Sequence, residues 1–196
     1  MENNSTCNGC VIWLTGLSGA GKSTIAAALD HELRNLRISC AVLDGDELRT
    51  GLNSDLGFSP EHRHENIRRI AYVARLLLVY ARVVIVAAIS PTRSGRALAK
   101  DVIGDGFFEV FVDAPISVCE ARDPKGLYRE VRAGKITNFT GVSASYEPPT
   151  APALVLRTDA LSVADEIKKL LILVADLLPI DSNGIPKNTE RLHNLH

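Results

Sequence analysis

The stretch "CVIWLTGLSGAGKSTIAAALDHEL" at residues 10–33 decides the fold. It opens on a continuous apolar run that reads as a buried strand and closes on a segment that reads as a helix. Between them "GLSGAGKST" at 16–24 fits G-x-x-x-x-G-K-[ST], with Gly16, Gly21, Lys22 and Ser23 at the fixed positions. Glycines let the backbone take positive φ and approach an anion without a Cβ clash, so several N–H groups converge on one phosphate. Ser18, Gly19, Ala20 and Thr24 complete the loop and the helix N-terminus, whose partial positive charge points at the same place. Lys22 is then placed for β and γ phosphates and the Ser23 hydroxyl for Mg²⁺, so the loop implies ATP or another nucleoside triphosphate with magnesium. The plain alternative is a glycine-rich turn with no ligand.

Outward from this loop, apolar runs alternate with helical stretches, which is the pattern of a parallel sheet covered by helices. Strands are expected at 10–15, 39–43, 82–89, 107–113 and 153–157. Helices are expected at 22–34, 60–80, 95–103, 116–122, part of 126–133, and 161–178. The strands are continuous rather than alternating, as when both faces are covered. The fold class is therefore α/β, a three-layer α/β/α sandwich of the P-loop NTPase kind with a mainly parallel five-stranded sheet. Residues 1–180 form one domain, with a lid at about 122–141, and the polar, turn-rich 181–196 is expected to be a mobile tail.

Composition bounds the function. The 196 residues carry a formal net charge of −1, which gives no reason to expect nucleic acid or a membrane surface as partner. The longest apolar runs fall far short of the roughly 20 residues that a span requires. The first ten residues have neither a basic region nor an apolar stretch, so a cytoplasmic location is expected. Cys7 and Cys10 form a C-x-x-C without the further ligands of a zinc site or the context of a redox helix. No N-K-x-D occurs, which argues against a guanine-reading switch; the length suits a small-molecule kinase.

The second strand ends in "LDGD", placing Asp44 and Asp46 at the carboxyl edge where open α/β sheets bind ligands. Such carboxylates suit either magnesium or acceptance of a proton from an attacking hydroxyl; the alternative is that they cap and start a short helix. A long polar segment follows, "DGDELRTGLNSDLGFSPEHRHENIRR" at 44–69. Arginine forks such as Arg49, Arg63 and Arg69 suit anionic groups, and Phe58 and Phe139 are aromatic residues in polar surroundings, free to stack on a base or to anchor their loops. His62 and His64 read as exposed helix positions.

"LDGDELRTGLNSDLGFSPEHRHENIRRI", "ISPTRSGR", "FVDAPISVCEARDPKGLYREVRAGKITNFTG" and "YEPP" together resemble the adenylylsulfate kinase family, from about Val11 to about Asp159. The resemblance implies transfer of the γ-phosphoryl of ATP to the 3′-hydroxyl of adenosine 5′-phosphosulfate. It makes Lys22, Asp46 and Ser90 the catalytic positions, with Ser23 and Asp46 at magnesium. It places Arg122 and Thr158 at the adenine of ATP. Asp46, Arg49, Phe58, Arg63, Asn66, Arg69, Ile89, Ser90, Lys125, Leu127, Asn138 and Phe139 fall at the acceptor. It also implies a homodimer and functional coupling to an ATP sulfurylase.

Three positions depart from the family's usual pattern: Glu47, Thr92 and Gly95. Glu47 matters most, because a negative charge beside a phosphosulfate opposes binding unless it turns to solvent or magnesium. Two other readings stay open at this point. One is a kinase for a different small hydroxyl compound, and the other is a nucleotide-binding sensor without turnover.

Overall fold

The computed structural model describes residues 9–178. Cys7 and the tail 181–196 lie outside the described residues. The elements run β1 (Cys10–Thr15), α1 (Lys22–Asn35), β2 (Cys40–Asp44), α2 (Gly45–Thr50), α3 (Pro60–Leu77) and β3 (Val83–Ala87). They continue α4 (Arg93–Ile103), β4 (Phe107–Asp113), α5 (Ile116–Arg122), α6 (Leu127–Arg132), β5 (Leu154–Arg157) and α7 (Val163–Leu177).

The five strands form one sheet in the order β2-β3-β1-β4-β5, and every pairing is parallel. The sheet is thus wholly rather than mainly parallel. Although β1 is buried at every position and apolar in all but Thr15, its side chains divide between two cores. Ile12 and Leu14 join Ile85, Val110 and Val112 under α1 and α7, where Leu29, Leu33, Leu170 and Val174 are fully buried. Val11 and Trp13 join Val84 and Val86 under α3 and α4, with Ile67, Ile70, Ala71 and Ala99. A central strand flanked on both faces has no solvated side to mark with polar residues, which is why the alternation is invisible in its sequence.

The order also fixes where a ligand sits. From β1 the chain crosses to β2 and β3 on one side and later to β4 and β5 on the other. The loop leaving β1 therefore opens at the point where the winding reverses, the crevice that parallel α/β sheets use for binding. Two glycines shape that loop. Gly19 has φ +76°, and a Cβ there would stand 2.8 Å from the Cys119 carbonyl oxygen. Gly21, at φ +104°, is the residue from which α1 starts.

Two of the differences from expectation have local reasons. β3 stops at Ala87, where its pairing with β1 and β2 ends, and Ser90 beyond it takes a left-handed φ of +46°. The six-residue α2, expected only as the alternative reading of Asp44 and Asp46, is too short to show an apolar stripe and begins at a glycine. Its start is set instead by Asp44, whose side chain accepts a hydrogen bond from the Asp46 amide.

Candidate active site

Lys22 is buried, and its Nζ donates to the carbonyls of Gly16 at 2.9 Å and Leu17 at 2.7 Å. Burial pulls its pKa from 10.5 down to about 8, with Asp46 the strongest influence holding it up. Ser23, at the next position of α1, donates its hydroxyl to Asp44 Oδ2 at 2.6 Å. Asp44 Oδ1 accepts the Asp46 N–H at 2.8 Å, so one carboxylate both caps α2 and faces the loop's serine. Asp46 projects from the first turn of α2 and forms an ion pair with Lys125, across from it between α5 and α6. Among the described residues no group of three or more His, Cys, Asp or Glu side chains is arranged to hold a metal. Ser23, Asp44 and Asp46 nonetheless present hard oxygens beside the phosphate loop. That is the sparse donor set that Mg²⁺ takes when phosphates and water fill its remaining positions.

The acceptor-side loop is built around two arginines and one aromatic ring. Arg49 Nη1 donates to the carbonyls of Leu56 and Gly57, both at 3.1 Å, and its guanidinium lies 4.5 Å from the Phe58 ring centre. Arg63 donates from Nε to the Phe58 carbonyl at 2.9 Å and reaches across to Thr140 Oγ1 and the Asn138 carbonyl. Burial lowers the pKa of both guanidiniums, and for Arg49 the charge of Arg63 adds to it. Two forks held this close together want an anion between them. The Phe58 ring is 61% exposed, a surface left open for a planar partner.

Asn66, buried on α3, accepts from Asn53 Nδ2 at 3.0 Å and so ties the loop to the helix. His62 is exposed, but its Nδ1 accepts the Gly57 N–H at 2.9 Å, which makes it a brace for the turn. Glu47 is exposed and does not line the cavity, so its charge faces solvent. Thr92 and Gly95 belong together: Thr92 Oγ1 accepts the Gly95 N–H at 3.2 Å to cap α4, and a Cβ at residue 95 would crowd that oxygen at 3.1 Å. The two departures compensate each other.

Ser90 sits in a buried polar knot. Its hydroxyl accepts from Trp13 Nε1 at 2.8 Å and donates to the Ala88 carbonyl at 3.2 Å. Its own carbonyl accepts from Arg96 at 2.6 Å, and Thr15 Oγ1 donates to the Ile89 carbonyl at 2.7 Å. Arg96 is almost fully buried, pairs with Glu109 and also holds the Glu147 carbonyl, fastening the "YEPP" segment beneath the site. The left-handed backbone at Ser90 is over-determined by these contacts.

At the other end, Arg122 Nη2 donates to the Thr158 carbonyl at 2.6 Å, and Thr158 Oγ1 donates to the Ala20 carbonyl at 2.7 Å. The guanidinium is thereby pinned over Gly19 and Ala20 of the phosphate loop. One continuous cavity of about 430 Å³ joins these parts. It is lined by Ser18, Gly19, Gly21, Lys22, Ser23 and Thr24, by Asp46, Arg49, Phe58, Arg63 and Asn66, and by Ile89, Ser90, Arg122, Lys125 and Thr158.

Six expected residues do not line it. Gly16 and Ala20 shape the loop from behind. Phe139 is buried and meets Tyr128 edge to face with ring centres 5.0 Å apart, so it anchors its segment rather than stacking on a base. Leu127 packs against the same core, and Asn138 meets Arg63 through its backbone carbonyl. Arg69 turns away to Asp55, Glu65 and the Leu52 carbonyl, where it braces the loop. Two contributors went unassigned from sequence, Tyr128, whose hydroxyl donates to the Ser18 carbonyl at 3.0 Å, and Glu166 on α7, while Asp44, left open between cap and site, makes both the cap and the Ser23 contact.

Comparison with known proteins agrees with this arrangement. The family model described as adenylylsulphate kinase matches residues 8–157. The adenylyl-sulfate kinase of Paraburkholderia xenovorans is 53% identical over 167 residues, covering 85% of this chain and 93% of that protein. That of Bacteroides fragilis is 50% identical over 167 residues, covering 85% and 83%. Among solved structures, the Mycobacterium tuberculosis APS kinase in complex with AMPPNP and APS superposes with a TM-score of 0.81 at 48% identity, covering 87% of this chain and 97% of that one. With a family model spanning most of its length and relatives at half identity over nearly all of theirs, the chain belongs to the adenylylsulfate kinase family.

Proposed function

We propose that this chain transfers the γ-phosphoryl group of ATP to the 3′-hydroxyl of adenosine 5′-phosphosulfate, giving 3′-phosphoadenosine 5′-phosphosulfate and ADP. The observation that carries it is the single cavity in which a phosphate loop, a carboxylate and a pair of arginines around an open aromatic ring lie in sequence. ATP lies along the loop with its adenine at Arg122 and Thr158 and its β and γ phosphates at Lys22. Adenosine phosphosulfate takes the other half, with its anionic groups toward Arg49 and Arg63 and its purine on Phe58. Phosphoryl transfer asks mainly for positioning and neutralisation of charge, and this layout provides both.

In this reading Asp46 orients the acceptor hydroxyl and takes its proton as the bond to phosphorus forms. Lys125, paired with Asp46, brings the segment 122–141 over the cavity and excludes water that would hydrolyse ATP. Ser90 holds the sheet-edge backbone rather than entering the chemistry, since its hydroxyl is already engaged on both sides. Mg²⁺ would be held by Ser23 with Asp46 and Asp44, and when bound it neutralises charge on the β and γ oxygens. We further propose a homodimer, a cytoplasmic location and coupling to an ATP sulfurylase that supplies the acceptor. The exposed Tyr72, Leu76, Val79 and Tyr80 at the end of α3 favour self-association, which sedimentation of the purified chain tests.

A coupled ADP-release assay tests the activity directly. Turnover is expected with ATP and adenosine phosphosulfate. Turnover with shikimate, gluconate or a nucleoside monophosphate and none with adenosine phosphosulfate would overturn the proposal. The pH dependence is equally specific. Bound triphosphate favours charged Lys22, so above the free enzyme's value of about 8 binding must take up a proton. ATP affinity measured by calorimetry is therefore expected to weaken by about twofold as pH rises from 7 to 8 and by about fivefold from 8 to 9.

A further inference from the structure

Glu166 is completely buried on the first turn of α7, yet it forms part of the cavity wall. Only one of its oxygens is used within the protein: Oε2 accepts from Lys169 Nζ at 3.2 Å, while Oε1 has no hydrogen-bond partner. An unpaired carboxylate oxygen inside a protein is costly, so its presence calls for a reason. The helix does not need it. Its cap is made by Ser162, which takes the Asp165 N–H, and its other large buried positions are Ile167, Leu170, Leu171 and Val174. Asp165 already supplies acidic charge for the helix N-terminus.

The position of Glu166 says what donor would complete it. In the cavity wall it follows Thr158, Leu161 and Val163 along the chain, on a helix whose buried face joins that of α1, whereas Arg49 and Arg63 belong to α2 and α3. The planar Arg122 guanidinium, fixed to the Thr158 carbonyl, offers a stacking face there. A base lying against that face turns its polar edge toward the surrounding wall.

We propose that Glu166 reads the base of the nucleoside triphosphate, Oε1 accepting a hydrogen bond from the exocyclic amine of adenine. This rests on the kinase reading given above and adds to it the choice of phosphoryl donor. A single free oxygen matches a single amine. A 6-oxo purine would set its carbonyl oxygen against the carboxylate, two acceptors facing each other at a buried oxygen. Reading the N1 and N2 donors of guanine together would need both carboxylate oxygens, and Lys169 holds one of them.

The test compares ATP with inosine triphosphate as donors to adenosine phosphosulfate, using kcat/KM for each and calorimetric affinity of each without acceptor. The parent is expected to favour ATP. In Glu166→Gln the side-chain amide can turn its N–H toward a 6-oxo group, so the ATP to inosine triphosphate ratio is expected to fall by about 10- to 100-fold. The KM for adenosine phosphosulfate should stay within twofold. Glu166→Met, which keeps the volume without a polar atom, gives a second readout should the glutamine variant fold poorly, and should also narrow the ratio. Lys169→Ala leaves Oε1 in place and should not move it.

A ratio unchanged in both folded Glu166 variants would overturn the inference, as would a Lys169→Ala variant that shifts it as far as Glu166→Gln. So would a parent that uses guanosine triphosphate as well as ATP and loses only the former in Glu166→Gln. If the parent phosphorylates adenosine phosphosulfate with neither ATP nor inosine triphosphate, the kinase reading itself fails. If ATP drives turnover but the ratio does not respond, only the role of Glu166 is lost.

Discussion

Lys22→Ala is expected to lower kcat/KM for ATP by at least about a thousandfold while leaving the fold intact. In the proposed reaction the ammonium meets the charge that builds on the β and γ oxygens, from a buried position where a fixed charge acts through little screening. Its present contacts are two loop carbonyls, of Gly16 and Leu17, which hold it at the mouth of the phosphate site. Stability should not follow activity. Burial has pulled the pKa down to about 8, so folding disfavours the charged form. The sign is that of a lysine whose folded pKa lies below its unfolded one: between the two values the unfolded chain binds more protons, and stability rises with pH. At neutral pH the charge contributes no net stability, and an alanine in its place should melt within a few degrees of the parent. Thermal melting beside steady-state kinetics separates the two effects. A variant that turns over within tenfold of the parent would show that the lysine does not meet the transferred group.

The variant also marks how far a sequence can be read. The β1 to α1 unit is legible because steric necessity leaves few alternatives: positive φ at Gly19 and Gly21, and a lysine at the start of the helix. α7 is legible because Ile167, Leu170, Leu171 and Val174 share one buried face. What escaped reading depends on contacts between segments far apart in the chain. Phe139 looked like a clamp because its neighbours are polar. The fold brings Tyr128 against it, and Tyr128 in turn is held by the Ser18 carbonyl. Arg69 is three residues from Asn66 on the same helix, but its long guanidinium swings back to Asp55 in the preceding loop. Asp44 was hard to rank because capping and function looked like rival explanations. A carboxylate has two oxygens, and here one caps α2 while the other holds Ser23. Thr92 and Gly95 each looked like a defect when considered alone, and become one cap when considered together.

Asp46→Asn is the second large effect expected, and it decides between the two roles open to that carboxylate. Asparagine keeps the shape and a hydrogen-bond acceptor but takes up no proton at neutral pH. If Asp46 accepts the proton of the attacking hydroxyl, kcat should fall by about 10²- to 10⁴-fold, with KM for ATP changed little. Raising Mg²⁺ would not restore it. If Asp46 serves chiefly to hold the metal, the loss should shrink as Mg²⁺ is raised, because mass action replaces lost affinity. The geometry favours the proton. Asp44 is the carboxylate bonded to Ser23, the loop hydroxyl proposed for the metal, whereas Asp46 points to Lys125. Lys125 also pairs with this carboxylate from the start of the segment 122–141, before the acceptor arrives. Lys125→Ala should accordingly raise the KM for adenosine phosphosulfate and reduce kcat by less than Asp46→Asn does. Full recovery of Asp46→Asn at high Mg²⁺ would move the proton acceptor elsewhere, and Asp44, one helical cap away, is the group to change next.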